Sequence, residues 1–597
     1  MHASILAPQR KKAIILSGFP LRKFKLGVES SARLMPMRGM IVRMLTGALG
    51  TAILLNLPFP IAGPVPFWRA SFAWVALVPL LLCLEWLIRS ADRARRWPFW
   101  AFGAGWLCGA VWFGWNCSWV YQTMHLYGGM GVGLAAFSLV LFSLFLGFWF
   151  GVFALAFGLA GRALQRRGFA SSAVFGVAPI LWLGMEFAIA RVPSFPWDEL
   201  GYTQVDNGLL TRLAPWTGVM GISLLLAAAN ALLAAGCAAS SRRQRKIYIG
   251  TWVGLVVVGM SGFLVRPSAP APVATAMLVQ PNLNVVTDDV WVGAQWEQHL
   301  AQFAQLAQAV CNQPYYAGLS QNSALQQTQC GGAEAQLDLI AWPESPAPFR
   351  ERDPRFRQAM AEIAQHEHTP MMIGDAGMDM SPGANGALAY RIYNSASVIA
   401  ANGAFVGRYD KMHLVPFGEY VPARQLLFFA HQITQQLTDL DRGTERSVFR
   451  LVSPNGSAHR YGIFLCYESI FGDEVRQFVE LGAEALVNLS DDGWYGDTSA
   501  PWQHLAMTRM RAIENDRWLL LDTNNGVTSV IDPNGVVRQS IARNRVGVLP
   551  ARFGYENQLT WYTVHGDLLG VACAILSVLL LLWSTRVLVG AVSRRQR

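Results

Sequence analysis

The chain has 597 residues, is 53% hydrophobic and only 14% charged, and carries 22 Trp and 32 Phe. That composition excludes an ordinary soluble enzyme, in which about a quarter of residues are Asp, Glu, Lys or Arg. The net charge of +10 collects in short clusters beside apolar runs, so it reads as a membrane-topology signal and excludes a nucleic-acid-binding surface.

Residues 1–39 form a basic leader with no long apolar run before Gly39, and are expected to lie in the cytoplasm without a cleavable signal. Crossing the hydrocarbon layer takes about 20 mostly apolar residues. Eight stretches meet that length, near 42–62, 70–88, 99–119, 131–160, 171–190, 217–237, 247–265 and 567–590. The first seven make a bundle over 40–266; the eighth precedes a basic tail, 591–597. The clusters "RSADRARR" (89–96), "GRALQRR" (161–167) and "SRRQRK" (241–246) follow spans two, four and six. Lys and Arg gather in cytoplasmic loops, so both termini are expected inside and the segment after span seven outside. A channel or transporter would carry ionisable residues along a pathway; the spans offer little beyond Glu85, near Arg89, and Glu186.

Residues 273–556 have ordinary polarity. Near-continuous apolar strands are expected at 273–282, 337–345, 370–378, 460–469 and 482–490, as when both faces of a sheet are covered. Segments 296–310 and 353–367 have helical spacing, and the Asn-Gly pairs in "AANGAF" (400–405) and "IDPNGVV" (531–537) mark hairpins. The pattern predicts an α/β layered domain, in which reactive groups gather at the C-terminal ends of strands. Five cysteines lie in or beside spans. Cys311 and Cys330 bracket a polar segment and form either a disulfide or a reduced pair; Cys466 has no obvious partner.

Three strand-end residues stand out: Glu344 in "LIAWPE", Lys411 in "FVGRYDK" and Cys466 in "GIFLC". Singly, each has a bland reading as loop carboxylate, solvated amine or small buried hydrophobe. Together they suit acyl chemistry. A carboxylate takes the thiol proton, the thiolate attacks a carbonyl, and an ammonium with a backbone N–H beside the cysteine stabilises the oxyanion. His413 or His504 as base of a Cys–His pair is the lower-ranked alternative.

At these residues the sequence resembles the nitrilase (carbon–nitrogen hydrolase) superfamily, which has a Glu–Lys–Cys triad in this chain order. With the membrane frame it resembles, over about 40–590, the apolipoprotein N-acyltransferase family. The motifs are "SWVYQTMHLYGGM" (118–130), "FPWDELGYTQ" (195–204), "VQPN", "WPES", "YDKMHLVPFGEYVP", "CYES" and "DGWYGDTSAPWQHLAMTRMRAIE". The resemblance implies an αββα sandwich, with Glu344 as general base, Lys411 as oxyanion stabiliser and Cys466 as nucleophile. Glu419, Tyr467 and Glu468 would support them. Trp494 and Tyr495 would border the pocket, as would a tryptophan after "VQPN", for which spacing favours Trp291 over Trp296. Where the family has Asn-Asp before its aromatic loop, this chain has "SDDGWYG", with Asp491 at the Asn-like position.

The implied reaction moves an acyl chain from a membrane phospholipid, through a Cys466 thioester, to the α-amine of a diacylglyceryl-modified apolipoprotein. It uses no cofactor or metal and takes place in a monomer of the bacterial inner membrane. The competing activity is a membrane-tethered amidase using water. Segment 422–443, with Leu426, Leu427, Phe428 and Phe429, is expected as a mobile lid facing lipid, a buried helix being the alternative.

Overall fold

The computed structural model describes residues 29–91, 96–268, 270–284, 294–308, 314–319, 323–327, 337–344, 349–382, 388–421 and 440–593. Trp291, Cys311, Cys330, Phe428, Phe429 and nearly all of the expected lid lie outside them. By packing, the chain divides into Met1–Arg43 and Met44–Arg597; the membrane bundle from Met44 on and the globular domain both belong to the second unit.

Among the described residues, seven helical segments are long and apolar enough to cross a membrane: Arg38–Asn56, Phe67–Arg89, Val132–Arg166, Ser171–Arg191, Val219–Ala238, Arg242–Leu264 and Leu568–Gly590. The first belongs to a helix that starts at Glu29, inside the expected leader, and ends at Asn56. It stops short of 62 because Pro58 and Pro60 cannot continue the hydrogen-bond ladder. The expected third span is the 20-residue helix Trp97–Asn116. Its length matches the hydrocarbon layer at about 1.5 Å per residue, but five Trp and four Gly dilute its apolarity. It packs closely along Val132–Arg166: a Cβ on Gly109 would come within 2.8 Å of the Gly147 Cα.

Span two is broken. Helix Phe67–Ala70 passes through a tight turn at Ser71–Trp74 and resumes at Val78–Arg89. Freed backbone groups at membrane depth need partners, and Asn230 supplies them. Its amide donates to Ala73 O (2.8 Å) and its carbonyl accepts from Leu77 N (2.8 Å).

The globular domain is a two-sheet sandwich. One sheet runs in the order Gly547–Phe553, Ala274–Gln280, Leu339–Trp342, Met371–Pro382, Leu388–Ile399, Phe405–Asp410. The other contains Val448–Val452, Ala458–Leu465, Ala485–Ser490 and Leu519–Thr523 as neighbours, and continues through Ser529–Ile531 and Val537–Ser540 to two short strands at 314–316 and 325–327. Along Ala274–Gln280 the side chains alternate with the period of two that strands impose. Ala276 and Leu278 enter the core between the sheets with Ile463, Leu465, Val487 and Leu521. Met277 and Val279 face Phe303, Phe356 and Met360 of the covering helices Ala294–Gln308 and Pro354–His366. Both faces are therefore apolar, as the strand compositions require. The two expected hairpins form, with Gly403 at φ 79° and Gly535 at φ 74°.

Helix Ala500–Asn515 is buried along its whole length. Its polar side chains meet the membrane bundle. Gln503 accepts from Trp197 Nε1 (2.9 Å) and donates to Asn116 (3.1 Å), Arg509 pairs with Asp206 (2.6 Å), and Arg511 donates to the Tyr202 hydroxyl (2.9 Å). This helix fixes the sandwich on the bundle.

Candidate active site

Glu344 lies two residues beyond strand Leu339–Trp342, and Lys411 directly follows Phe405–Asp410, both in the first sheet. Lys411 Nζ donates to Glu344 Oε1 (2.8 Å) and Glu419 Oε1 (2.9 Å). Asn394, on the intervening strand, donates to the same two oxygens at 2.7 and 2.6 Å. The remaining oxygens are held by main chain: Asp491 N reaches Glu344 Oε2 (3.0 Å) and Val415 N reaches Glu419 Oε2 (2.7 Å). Lys411 is 1% exposed. Burial alone would lower its pKa, but the Glu344 and Glu419 carboxylates hold the ammonium well above its ordinary range.

Cys466 directly follows Ala458–Leu465 in the second sheet, so the site spans the sandwich. Its φ is 44°, a left-handed conformation that costs a β-carbon residue about 1–3 kcal/mol. Neighbouring bonds hold it there. Asn488 Nδ2 donates to Phe464 O (3.1 Å), and His504 Nε2 lies 3.1 Å from Cys466 O. Glu468, in the same turn, accepts from Leu465 N (2.7 Å) with one oxygen. With the other it accepts from Tyr409 OH (2.8 Å), Met412 N (2.7 Å) and His413 N (3.0 Å). One carboxylate thus ties the cysteine turn to the segment after the lysine. Burial raises the Cys466 thiol pKa well above its usual value; Glu344 adds to this and Lys411 opposes it.

Tyr495 is buried near this turn and packs edge-on against Trp119 (5.2 Å) and Trp197 (5.9 Å) of two bundle loops, themselves 4.8 Å apart. Trp494 is half exposed; its carbonyl accepts from Thr123 Oγ1 (3.0 Å) and its ring meets Tyr127. Aromatic side chains from the bundle therefore border the charged cluster.

The comparisons agree with this division. Residues 277–553 match the carbon-nitrogen hydrolase family model, and 51–232 match the apolipoprotein N-acyltransferase N-terminal domain model. The chain is 30% identical over 549 residues to the apolipoprotein N-acyltransferase of Geobacter metallireducens, covering 90% of this chain and 94% of that one. It belongs to the apolipoprotein N-acyltransferase family. A second member, from Methylococcus capsulatus, is 32% identical over 483 residues, 79% of this chain and 84% of that one. Among solved structures, Saccharomyces cerevisiae Nit3 of the nitrilase superfamily is similar at 15% identity, covering 48% of this chain and 93% of that one, with a TM-score of 0.32.

Within this family member, Glu344, Lys411 and Glu419 are joined by hydrogen bonds, Glu468 holds the adjoining turn, and Cys466 and Tyr467 are buried in that turn. Trp296 does not join them. It is a core residue of the covering helix, edge-on to Phe349 (6.4 Å) and beneath Arg355 (4.4 Å), because its position falls on the helix's apolar stripe. The alternative bases are engaged elsewhere. His413 stacks on Phe471 and reaches Glu474 (3.0 Å) and Ser194 (3.2 Å). His504 faces the Cys466 carbonyl, with Asp492 3.1 Å from its Nδ1. Two participants were not singled out from sequence: Asn394 and the Asp491 N–H. A polar residue inside the apolar strand "LAYRIYNSASVI" is the signal that points to the first.

Proposed function

We propose that Cys466, Lys411 and Glu344 carry a two-step acyl transfer from a membrane phospholipid to the N-terminal amine of a diacylglyceryl-cysteine apolipoprotein. In the first step Sγ attacks the ester carbonyl while Glu344 takes the thiol proton. The carbon–sulfur bond forms, the ester C–O bond breaks, and the proton passes to the departing lysophospholipid alkoxide. In the second step the amine attacks the thioester, and Glu344 takes its proton and returns it to the thiolate. Lys411 and a main-chain N–H of the 466–470 turn stabilise both tetrahedral oxyanions. Glu419 and Glu468 hold the lysine and the cysteine in place, Tyr467 packs beside the nucleophile, and Trp494 and Tyr495 border the lipid. Trp291, Phe428 and Phe429 are assigned to the substrate side on sequence alone.

The observation that carries this reading is the buried Lys411 ammonium shared by Glu344 and Glu419, with a buried, left-handed Cys466 in the adjoining turn. Attachment to a bundle suits substrates that live in lipid, since exposing each acyl CH₂ to water costs about 0.8 kcal/mol. The basic clusters on one face support termini in the cytoplasm and a catalytic domain on the opposite side.

Intact-protein mass spectrometry of the protein incubated with phospholipid and no acceptor tests it. A fatty-acyl adduct is expected on the wild type and not on Cys466→Ala, and a diacylglyceryl-cysteine peptide is expected to remove it and gain the acyl group. An adduct lost only to water would instead establish the tethered hydrolase.

A further inference from the structure

Glu344 Oε1 is held by Lys411 and Asn394, whereas the Asp491 N–H is the partner found for Oε2. Oε2 is therefore the oxygen with a lone pair left for a proton, and the direction of one peptide N–H fixes it. That peptide is set by the Asp491 side chain, which is 5% exposed. Its Oδ1 accepts from Gly493 N (3.0 Å) and its Oδ2 accepts from Asn524 Nδ2 (3.2 Å).

Asn524 cannot turn over. Its Oδ1 accepts from Leu283 N and its Nδ2 donates to Leu283 O, both at 2.9 Å. Its own N–H donates to Ser490 O (3.0 Å) and its carbonyl accepts from Asn282 N (2.9 Å). Clamped in this way, the amide presents only a donor to position 491. Gly493 N also presents only a donor, and the two donors reach different oxygens, so this chain's position is matched by a side chain that accepts at both terminal atoms, as a carboxylate does; an amide, the family's residue type here, accepts at only one of them.

The charged and titratable groups around this clasp are Glu344 with Lys411 and Glu419 behind it, and Asp492, whose Oδ1 takes the Ser490 hydroxyl (2.9 Å) and lies 3.1 Å from His504 Nδ1. Tyr127 of the bundle, Asp497 and Arg543 lie around them. Burial and the Glu344 carboxylate push the Asp491 carboxyl up to about 8, while the Gly493 N–H and the Asn524 amide favour its ionised form.

We propose that Asp491 is a positioning residue: by accepting from both Asn524 and Gly493, its carboxylate aims the 491 N–H at Glu344 Oε2 and so sets the oxygen that moves the proton. This rests on Glu344 being the base of the acyl transfer. The consequence is that donor and acceptor at 491 and 524 matter as a pair. Asp491→Asn sets two donors against each other; Asn524→Asp sets acceptors against each other at both Asp491 and Leu283 O; the double exchange restores one donor facing one acceptor at 491 and keeps the partner of Leu283 N, leaving only the Leu283 carbonyl without its donor.

The test is the rate of acyl-adduct formation on Cys466 in phospholipid vesicles for the wild type, both single variants and Asp491→Asn/Asn524→Asp, with the unfolding midpoint of each. Each single variant is expected to slow acylation about tenfold or more, the scale of a misplaced catalytic group, and the double variant is expected to be faster than Asn524→Asp alone. A loss of packing alone would not be rescued by the exchange. Asp491→Asn at the wild-type rate, or a double variant as slow as the product of the singles, overturns the proposal. Should Asp491→Asn not fold, Asn524→Ala removes the donor and leaves Asp491 in place; it is expected to slow acylation about threefold or more, and an unchanged rate overturns the proposal equally. A wild type that never forms the adduct would remove the Glu344 reading and this proposal with it, which separates that failure from a failure of Asp491 alone.

Discussion

Asn230 and Asn394 are both buried asparagines, one between membrane helices and one between the strands of the sandwich. Asn230 gives its amide to Ala73 O and Leu226 O and takes Leu77 N, so it closes a gap in a broken span with neutral partners. Asn394 gives its amide to the carboxylates of Glu344 and Glu419, on which Lys411 also converges. The bundle uses polar side chains to satisfy backbone that lipid cannot solvate. The sandwich uses them to hold charge where a carbonyl is to be attacked. One residue type therefore serves shape in one region and chemistry in the other.

The charge itself gives the largest expected effect. Lys411→Met keeps much of the side-chain volume but leaves Glu344 and Glu419 facing each other without a counter-ion. Removing one partner of a buried ion pair costs about 3–5 kcal/mol. Loss of an oxyanion stabiliser slows acyl transfer by about 10²–10³. Chemical denaturation and the Cys466 adduct rate are both expected to fall. If acylation by the folded fraction survives at the wild-type rate, the lysine is structural and the contrast between the regions collapses.

The asparagine pair sharpens the contrast. Asn230→Leu orphans Leu77 N and the Ala73 carbonyl, each unmet buried group costing about 1–3 kcal/mol, while acylation per folded molecule stays within about twofold, because the change lies far from the reacting atoms. Asn394→Leu removes two donors from the carboxylates and is expected to slow acylation by about tenfold or more for a similar loss of stability. Unfolding midpoints measured beside single-turnover acylation separate the two. Equal losses of rate in both variants would mean that the bundle and the sandwich are not divided in this way.

Much of this was legible in the chain. The strands were readable because both faces of each sheet are covered, as Met277 and Leu278 on opposite sides of one strand illustrate. Glu344 and Cys466 were readable as residues at the ends of such strands, and Lys411 as the residue after a half-exposed edge strand. What escaped depends on pairing across great sequence distance. Helix Ala500–Asn515 lies in a family-like motif of the sequence, but nothing in the motif shows its docking role, in which Gln503 meets Asn116 387 residues away. The break in the second span is equally silent in sequence, since Asn230 lies 157 residues from the Ala73 carbonyl it satisfies. Trp296, the competitor of Trp291 for the tryptophan near the substrate, lies instead on the apolar stripe of its helix and in the core.

The smallest effect concerns a carboxylate that serves neither purpose. Asp375 is fully buried on strand Met371–Pro382, and its Oδ2 accepts from the Ser397 hydroxyl (2.6 Å). Burial pushes its carboxyl up from 3.8 to about 7. Between about pH 4 and 7 the folded state therefore keeps a proton that the unfolded state has released, so this group's contribution falls as pH rises, by at most about 1.4 kcal/mol per pH unit. Above about 7 both states have released it and the contribution is level. Asp375→Asn retains an oxygen for Ser397 and has no proton to lose. The difference in unfolding midpoint between the variant and the wild type is thus expected to grow from pH 5 to 7 and then level off, with the acylation rate unchanged. A difference independent of pH would show that Asp375 stays ionised throughout, held by Arg408 across the strand, and that the sandwich carries a second buried charge with no part in the chemistry.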